Sequence, residues 1–222
     1  MTARLRTASM ACALAAALSG CATSAVQNGP LRYAAAGTCV DALSALPARQ
    51  IPAPDKNGKP AVFVFDANVS CLSEAPNTPR PGLLFSLTGV ATPAEVLIDS
   101  SGSGAVTLAP LVRVLGADFH EQSRYSFDRF AKRGRDFSIS VFLNSGSAPP
   151  AAYLLIVPDD AWLGRENLTV EGQQRTTVWS TGLVTGAYTS GYEEKSVSTF
   201  SDLGSLSIQA RPYAAPAAAK TP

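Results

Sequence analysis

Short apolar runs, mostly bounded by Gly, Pro, Asn or Asp, constrain this chain more than any other feature. In the segment 137–143, Phe137, Ile139, Val141 and Leu143 fall on one face and Ser138 and Ser140 on the other, with Phe142 the exception. Leu206 and Ile208 alternate with Ser205, Ser207 and Gln209 in the same way. A period of two is the mark of a strand with one buried face. Four other runs, 61–65, 83–87, 111–115 and 151–157, are almost continuously apolar and read as buried central strands. Helix signals are few. Val40, Leu43 and Leu46 are spaced for a short helix ending before Pro47, and 158–163 can open one turn that Gly164 stops. Many strands, frequent turn residues and little helix predict a single antiparallel β-sandwich over residues 38–211, with one or two short helices.

The N-terminus reads as an address. Arg4 and Arg6 precede an apolar stretch from Ala8 to Leu18, too short to cross a bilayer, and Leu18-Ser19-Gly20-Cys21 has the form of a bacterial lipobox. Residues 1–20 are therefore expected to be a signal peptide and Cys21 the lipidation site, carrying a diacylglyceryl thioether and an N-acyl chain such as palmitate. Each buried methylene contributes about 0.8 kcal/mol, and more than one chain is needed for a stable anchor. Ala22, where an aspartate commonly retains lipoproteins in the inner membrane, points to the outer membrane, periplasmic face. Residues 21–37 are small and polar apart from Val26, Leu31 and Tyr33 and read as a flexible tether; the Ala/Pro-rich 212–222 reads as a disordered tail.

Charge and cysteines narrow the partners. Eighteen Lys and Arg face 17 Asp and Glu, and the leader removes two arginines, leaving no basic footprint for nucleic acid. The membrane is then reached through the lipid, and other partners, a carbohydrate or an outer-membrane protein, through shape and polar contacts. Cys12 leaves with the leader and Cys21 is taken by lipid, so Cys39 and Cys71 remain as an even pair in an oxidising compartment. A disulfide is the natural reading, worth about 3–4 kcal/mol in the loop-entropy account.

Catalytic patterns are sparse. His120 is the one histidine, no G-x-S-x-G elbow or phosphate-binding loop is present, and Asp118, His120 and Glu121 read as a solvated loop rather than a zinc site. Paired carboxylates of a glycosidase are neither excluded nor indicated by 17 acids. No catalytic, cofactor-binding or metal-binding residue is assigned, and the chain reads as a non-enzyme. The contact candidates are aromatic. Between His120 and Asp136, Tyr125, Phe127 and Phe130 interleave with Arg124, Arg129, Lys132, Arg133 and Arg135. Such a segment is either a recognition loop for an anionic or sugar partner or, the favoured reading, a connection whose aromatics dock on the sandwich while its arginines stay in water. Trp162, Trp179, Tyr188 and Tyr192 either stack on sugar rings or pack at the edge of the core.

The order of Pro110–Leu115, the aromatic-rich Arg124–Phe130, Ala152–Asp160 and Gly204–Gln209 resembles the periplasmic maltose-operon protein family over roughly residues 38–210. The lipobox departs from that pattern. The resemblance implies an exported β-rich protein, encoded with maltodextrin uptake genes and without an established catalytic activity; it transfers no site residues. Two functions are thus expected: a lipid-anchored accessory or binding protein associated with maltodextrin or other carbohydrate uptake, or an assembly lipoprotein docking on an outer-membrane protein complex. A hydrolase with an unrecognised carboxylate pair is the third.

Overall fold

The computed structural model describes residues 32–75, 78–102, 104–144 and 149–213. Cys12, the lipobox, Cys21 and Ala22 lie outside the described residues, as does most of the C-terminal tail. Among the described residues, fifteen strands are arranged in four sheets. They are β1 (Ala48–Gln50), β2 (Ala61–Phe65), β3 (Cys71–Ala75), β4 (Thr78–Pro81), β5 (Leu83–Ser86), β6 (Ala94–Ser101), β7 (Val106–Leu108) and β8 (Pro110–Leu115). There follow β9 (Glu121–Tyr125), β10 (Ala131–Arg133), β11 (Asp136–Leu143), β12 (Tyr153–Pro158), β13 (Glu166–Ser180), β14 (Thr185–Ser201) and β15 (Gly204–Pro212). Two five-stranded sheets, in the orders β1-β5-β12-β8-β9 and β10-β11-β6-β15-β2, form a mainly antiparallel β-sandwich.

Alternation explains how the sheets meet. Val96 and Ile98 of β6, Ile139 and Val141 of β11, and Leu206 and Ile208 of β15 point inward against Phe85, Val112, Leu154 and Ile156. Removing apolar area of this kind from water is the dominant favourable term in folding, roughly 25 cal/mol per Å². Phe142 breaks the alternation because its ring faces outward, edge-on to Tyr213 at 5.0 Å between centroids.

The middle of the first sheet is buried on both faces, so Leu83–Phe85 of β5 and Leu154–Val157 of β12 are apolar at consecutive rather than alternate positions. Leu84, Leu115, Leu155 and Val157 face away from the main core and are covered by Leu46 and Leu72, with Val40 and Leu43 packed against them. A disulfide between Cys39 and Cys71 fastens this cover, and Val40 bridges Leu72 beside it.

Four expectations need correction. The continuously apolar Ala61–Phe65 is an edge strand, not a central one: β2 pairs with β15 alone among the described residues, and Val62 and Val64 are 65% and 56% exposed. The helix expected over 40–46 is a single 3-10 turn, Leu43–Ala45, because Leu46 resumes extended backbone. The single turn expected after Pro158 does form, and the buried Asp159 accepts the amide N–H of Ala161 at 3.2 Å in the manner of a cap. Within the span expected to be a tether, Tyr33 is held on the body. Tyr33 is buried, its N–H donates to Asp202 at 2.8 Å and its hydroxyl donates to the Val69 carbonyl at 2.9 Å. At the other end, Pro212 and Tyr213, expected in a disordered tail, are held: Pro212 closes β15 and the Tyr213 N–H donates to the Pro93 carbonyl.

Candidate functional site

The basic, aromatic stretch 120–136 is divided between core and solvent. Phe127 is 2% exposed and lies at the centre of an aromatic cluster, its ring 5.3 Å from Phe130, 4.8 Å from Phe137, 5.4 Å from Trp162 and 5.0 Å from Phe200. Its N–H donates to the buried carboxylate of Asp159 at 2.9 Å. Phe127 is therefore a core residue and leaves the set of contact candidates. Tyr125 is half-buried against the same core, and Arg129 is exposed. Trp162 is half-buried as well, edge-on to Phe127 and Phe200, with the Arg165 guanidinium 5.0 Å above its ring. Its apolar faces are spent on packing and a cation–π contact.

Glu121 bridges two arginines across β8 and β9, at 2.8 Å to Arg124 and 2.6 Å to Arg113. The hydrogen bond from Arg124, and then that from Arg113, hold its carboxyl below the usual range. A carboxylate stabilised in its charged form is ill suited to donate a proton. Asp118 accepts the backbone N–H of His120 at 3.1 Å, which spends that carboxylate on holding the loop. Among the described residues no group of three or more His, Cys, Asp or Glu side chains converges in a metal-binding arrangement. A cleft of about 660 Å³ opens at this end of the sandwich, with Leu87, Val114 and Leu143 in its lining beside His120, Gln122 and Asn144.

Trp179 stands elsewhere, on the element that the sequence reading did not anticipate. β13 and β14 form one hairpin whose register runs unbroken from Glu166–Thr199 to Ser180–Thr185. At about 3.3 Å per residue the 15-residue strand is roughly 50 Å long. Its base is tied to the body. Asn167 and Thr169 are buried, Lys132 donates to Asn167 Oδ1 and to the Leu168 carbonyl at 2.7 Å each, and Thr199–Ser201 pair in parallel with β7. From Val170 outward and back to Lys195 the described side chains are exposed, except that Gly186 is half-covered. The hairpin is an arm.

Local chemistry builds the arm. Thr, Val, Tyr and Trp suit a pleated ribbon, and the two-residue turn Gly182-Leu183 places glycine at the position where a type II′ turn needs positive φ. Gly182 has φ +87°, and Thr181 N–H donates to the Val184 carbonyl at 2.9 Å. Leu183 at the apex is 98% exposed. From Thr176 to Tyr192 there is no charged residue; Arg175 and Glu193 bracket the stretch.

The register sorts the aromatics onto one face. Trp179 is opposite Gly186, Tyr188 opposite Thr177 and Tyr192 opposite Gln173. Positions 179, 186, 188 and 192 therefore share a side of the ribbon, with Trp179 and Tyr188 as diagonal neighbours. Gly186 is what lets the indole lie down. A Cβ placed there would come within 2.5 Å of Trp179 Cζ2 and 2.7 Å of Cε2. One face of the indole thus covers the backbone of the opposite strand while the side chain remains 51% exposed. Such a flat, half-supported ring is suited to stacking on another flat apolar surface. The signal that could have found the arm is the Gly182-Leu183 turn between two long proline-free runs rich in Thr, Val and aromatic residues. No protein-family model matches the sequence, and comparisons with curated proteins and with solved structures return no match.

Proposed function

We propose that this protein is a lipid-anchored accessory protein of the bacterial cell envelope that binds carbohydrate through the aromatic face of its arm, without catalysing a reaction on it. The observation that carries the reading is the indole of Trp179 laid across Gly186, with Tyr188 diagonal to it and Tyr192 further along the same face. Sugar rings present apolar C–H patches that stack on such faces, while Thr and Ser hydroxyls along the ribbon satisfy their hydroxyls. The uncharged stretch from Thr176 to Tyr192 suits a neutral glycan, since it offers an anionic one no counter-charge. The lipobox at Cys21 supplies the anchor in the outer membrane, periplasmic face, and the resemblance to the maltose-operon family makes maltodextrin uptake the context.

Titration with maltodextrins and other neutral glycans tests the binding half. The wild type is expected to bind with a change in tryptophan fluorescence, and Trp179→Ala to lose binding by at least about tenfold, or roughly 1.4 kcal/mol, while keeping its melting temperature. Equal binding by a folded Trp179→Ala variant, or none by the wild type at millimolar glycan, would end the sugar reading. Cell fractionation tests the anchor: Cys21→Ser should move the protein from the membrane to the soluble periplasmic fraction.

The apex favours a second reading. Leu183 is 98% exposed with the half-exposed Val184 beside it, an apolar tip that suits a protein pocket better than a sugar. Cross-linking in intact cells from residue 184 to an outer-membrane protein would support an assembly lipoprotein, and a Leu183→Ser variant that retains the cross-linked partner would argue against it.

A further inference from the structure

The four edges of the two five-stranded sheets differ in how they are protected. β1 is three residues long with Arg49 at its centre. β9 carries Glu121 and Arg124 and meets β8 through an irregular register. β10 is three residues long and carries Lys132 and Arg133. Short length, charge and bulges are the devices that keep sheet edges from pairing with other chains. β2 has none of them. It is Ala-Val-Phe-Val-Phe, free of charge and proline, with an unbroken register to β15 and nothing described on its other side.

We infer that the β2 edge pairs with β2 of a second copy of this chain, antiparallel about a two-fold axis, joining the two sheets into one across the dimer. Charge selects the occupant and its direction. Lys59 precedes the strand, separated from it by Pro60, and Asp66 follows it directly. An antiparallel copy brings each Lys59 to the end of the strand pair that carries the other's Asp66, whereas a parallel neighbour brings like charge to like. Parity narrows the register, because directly opposed residues share a face and only symmetric pairings with an even index sum preserve it. Centring on Phe63 places Val62 opposite the second copy's Val64, and Val64 opposite its Val62. Side chains now 65% and 56% exposed then form one apolar cluster on the outer face. The inner face is continuous too. Phe63 packs edge-on to Phe85 at 4.9 Å with the Arg49 guanidinium 6.0 Å over its ring, and its counterpart would lie beside this group. The contact is isologous and closes on itself, as a two-fold dimer requires.

Sedimentation velocity on the full chain, with and without Cys21→Ser so that lipid-driven clustering reads separately, tests this. The wild type is expected to be a concentration-dependent dimer, and Val64→Lys a folded monomer with the same circular dichroism. Lys59→Glu and Asp66→Lys should each weaken the dimer by up to about tenfold through like charges gathered at each end of the strand pair. Mixing those two variants should restore it, because each then meets its opposite at both ends of the strand. A monomeric wild type up to submillimolar concentration overturns the proposal. So does a dimer that survives Val64→Lys, one that is lost only when the arm's apex is removed, or a mixture that stays as weak as its components.

Discussion

Asp99 and Glu121 are carboxylates on opposite sheets, and their surroundings push them in opposite directions. Asp99 lies on the outer face of β6, where partial burial, and after it the charge of Asp136, raises its pKa against the hydrogen bond from Ser207 and the attraction of Arg133. A folded-state pKa above the unfolded one means that the native state holds the proton more tightly, so stability falls as pH rises through that window. At neutral pH the fold carries a charged Asp99 at a cost. Asp99→Asn should therefore raise the melting temperature at pH 7, and the gain should shrink as the pH drops below the ordinary aspartate value. A melting series from pH 3 to 8 checks it, and a variant that is less stable at pH 7 would mean that Asp99 is needed charged. Glu121 has the other sign. Its pKa is lowered by Arg124 and Arg113, so its contribution is present above the ordinary glutamate value and is lost as pH falls through the depressed one. None of this was legible in the sequence, because Asp99 and Ser207 are brought together only by the pairing of β6 with β15.

Elements were legible in proportion to how far their packing is encoded locally. β11 and β15 show the period of two because one face of each is in the core, and a single face leaves an alternating trace. β5 and β12 are legible as central strands because a second layer covers them, even though the spacing of Val40, Leu43 and Leu46 in that layer predicts a short helix that does not form. β2 has the same apolar run without the second layer. Composition cannot distinguish a strand buried on both faces from one whose outer face is left for another surface. The arm was missed for a related reason. A ribbon exposed on both faces needs no amphipathic pattern, so β13 and β14 show strand propensity and a turn but not the alternation that identified the others. Of the aromatic candidates, Phe127 and Trp162 were drawn into the core and Trp179 onto the arm. Residue type was the same kind of signal for all three, and long-range topology decided between them.

The whole molecule depends on its N-terminal cover more than the strand count suggests. Leu84, Leu115, Leu155 and Val157 would form an open apolar face if the segment from Cys39 to Leu46 lifted away, and little regular structure holds that segment down. Tyr33 pins it near one end through Asp202 and Val69, and the Cys39–Cys71 disulfide fastens it to β3. The bridged residues are 32 apart in sequence, so cross-linking removes about 3–4 kcal/mol of unfolded-state freedom in the loop-entropy account. For a domain of this size each kcal/mol shifts the melting temperature by roughly 2–4 °C. The double variant Cys39→Ala, Cys71→Ala should thus melt about 6–16 °C lower. It should also bind a hydrophobic dye before global unfolding, because the cover opens ahead of the sandwich. Loss of the melting temperature without early dye binding would place the effect in the unfolded chain alone. An unchanged melting temperature would mean that apolar contact holds the cover without the bridge. The glycan binding proposed for the arm should survive in either case, since Trp179 and Gly186 sit on the exposed part of the β13–β14 hairpin, where each is paired with the other.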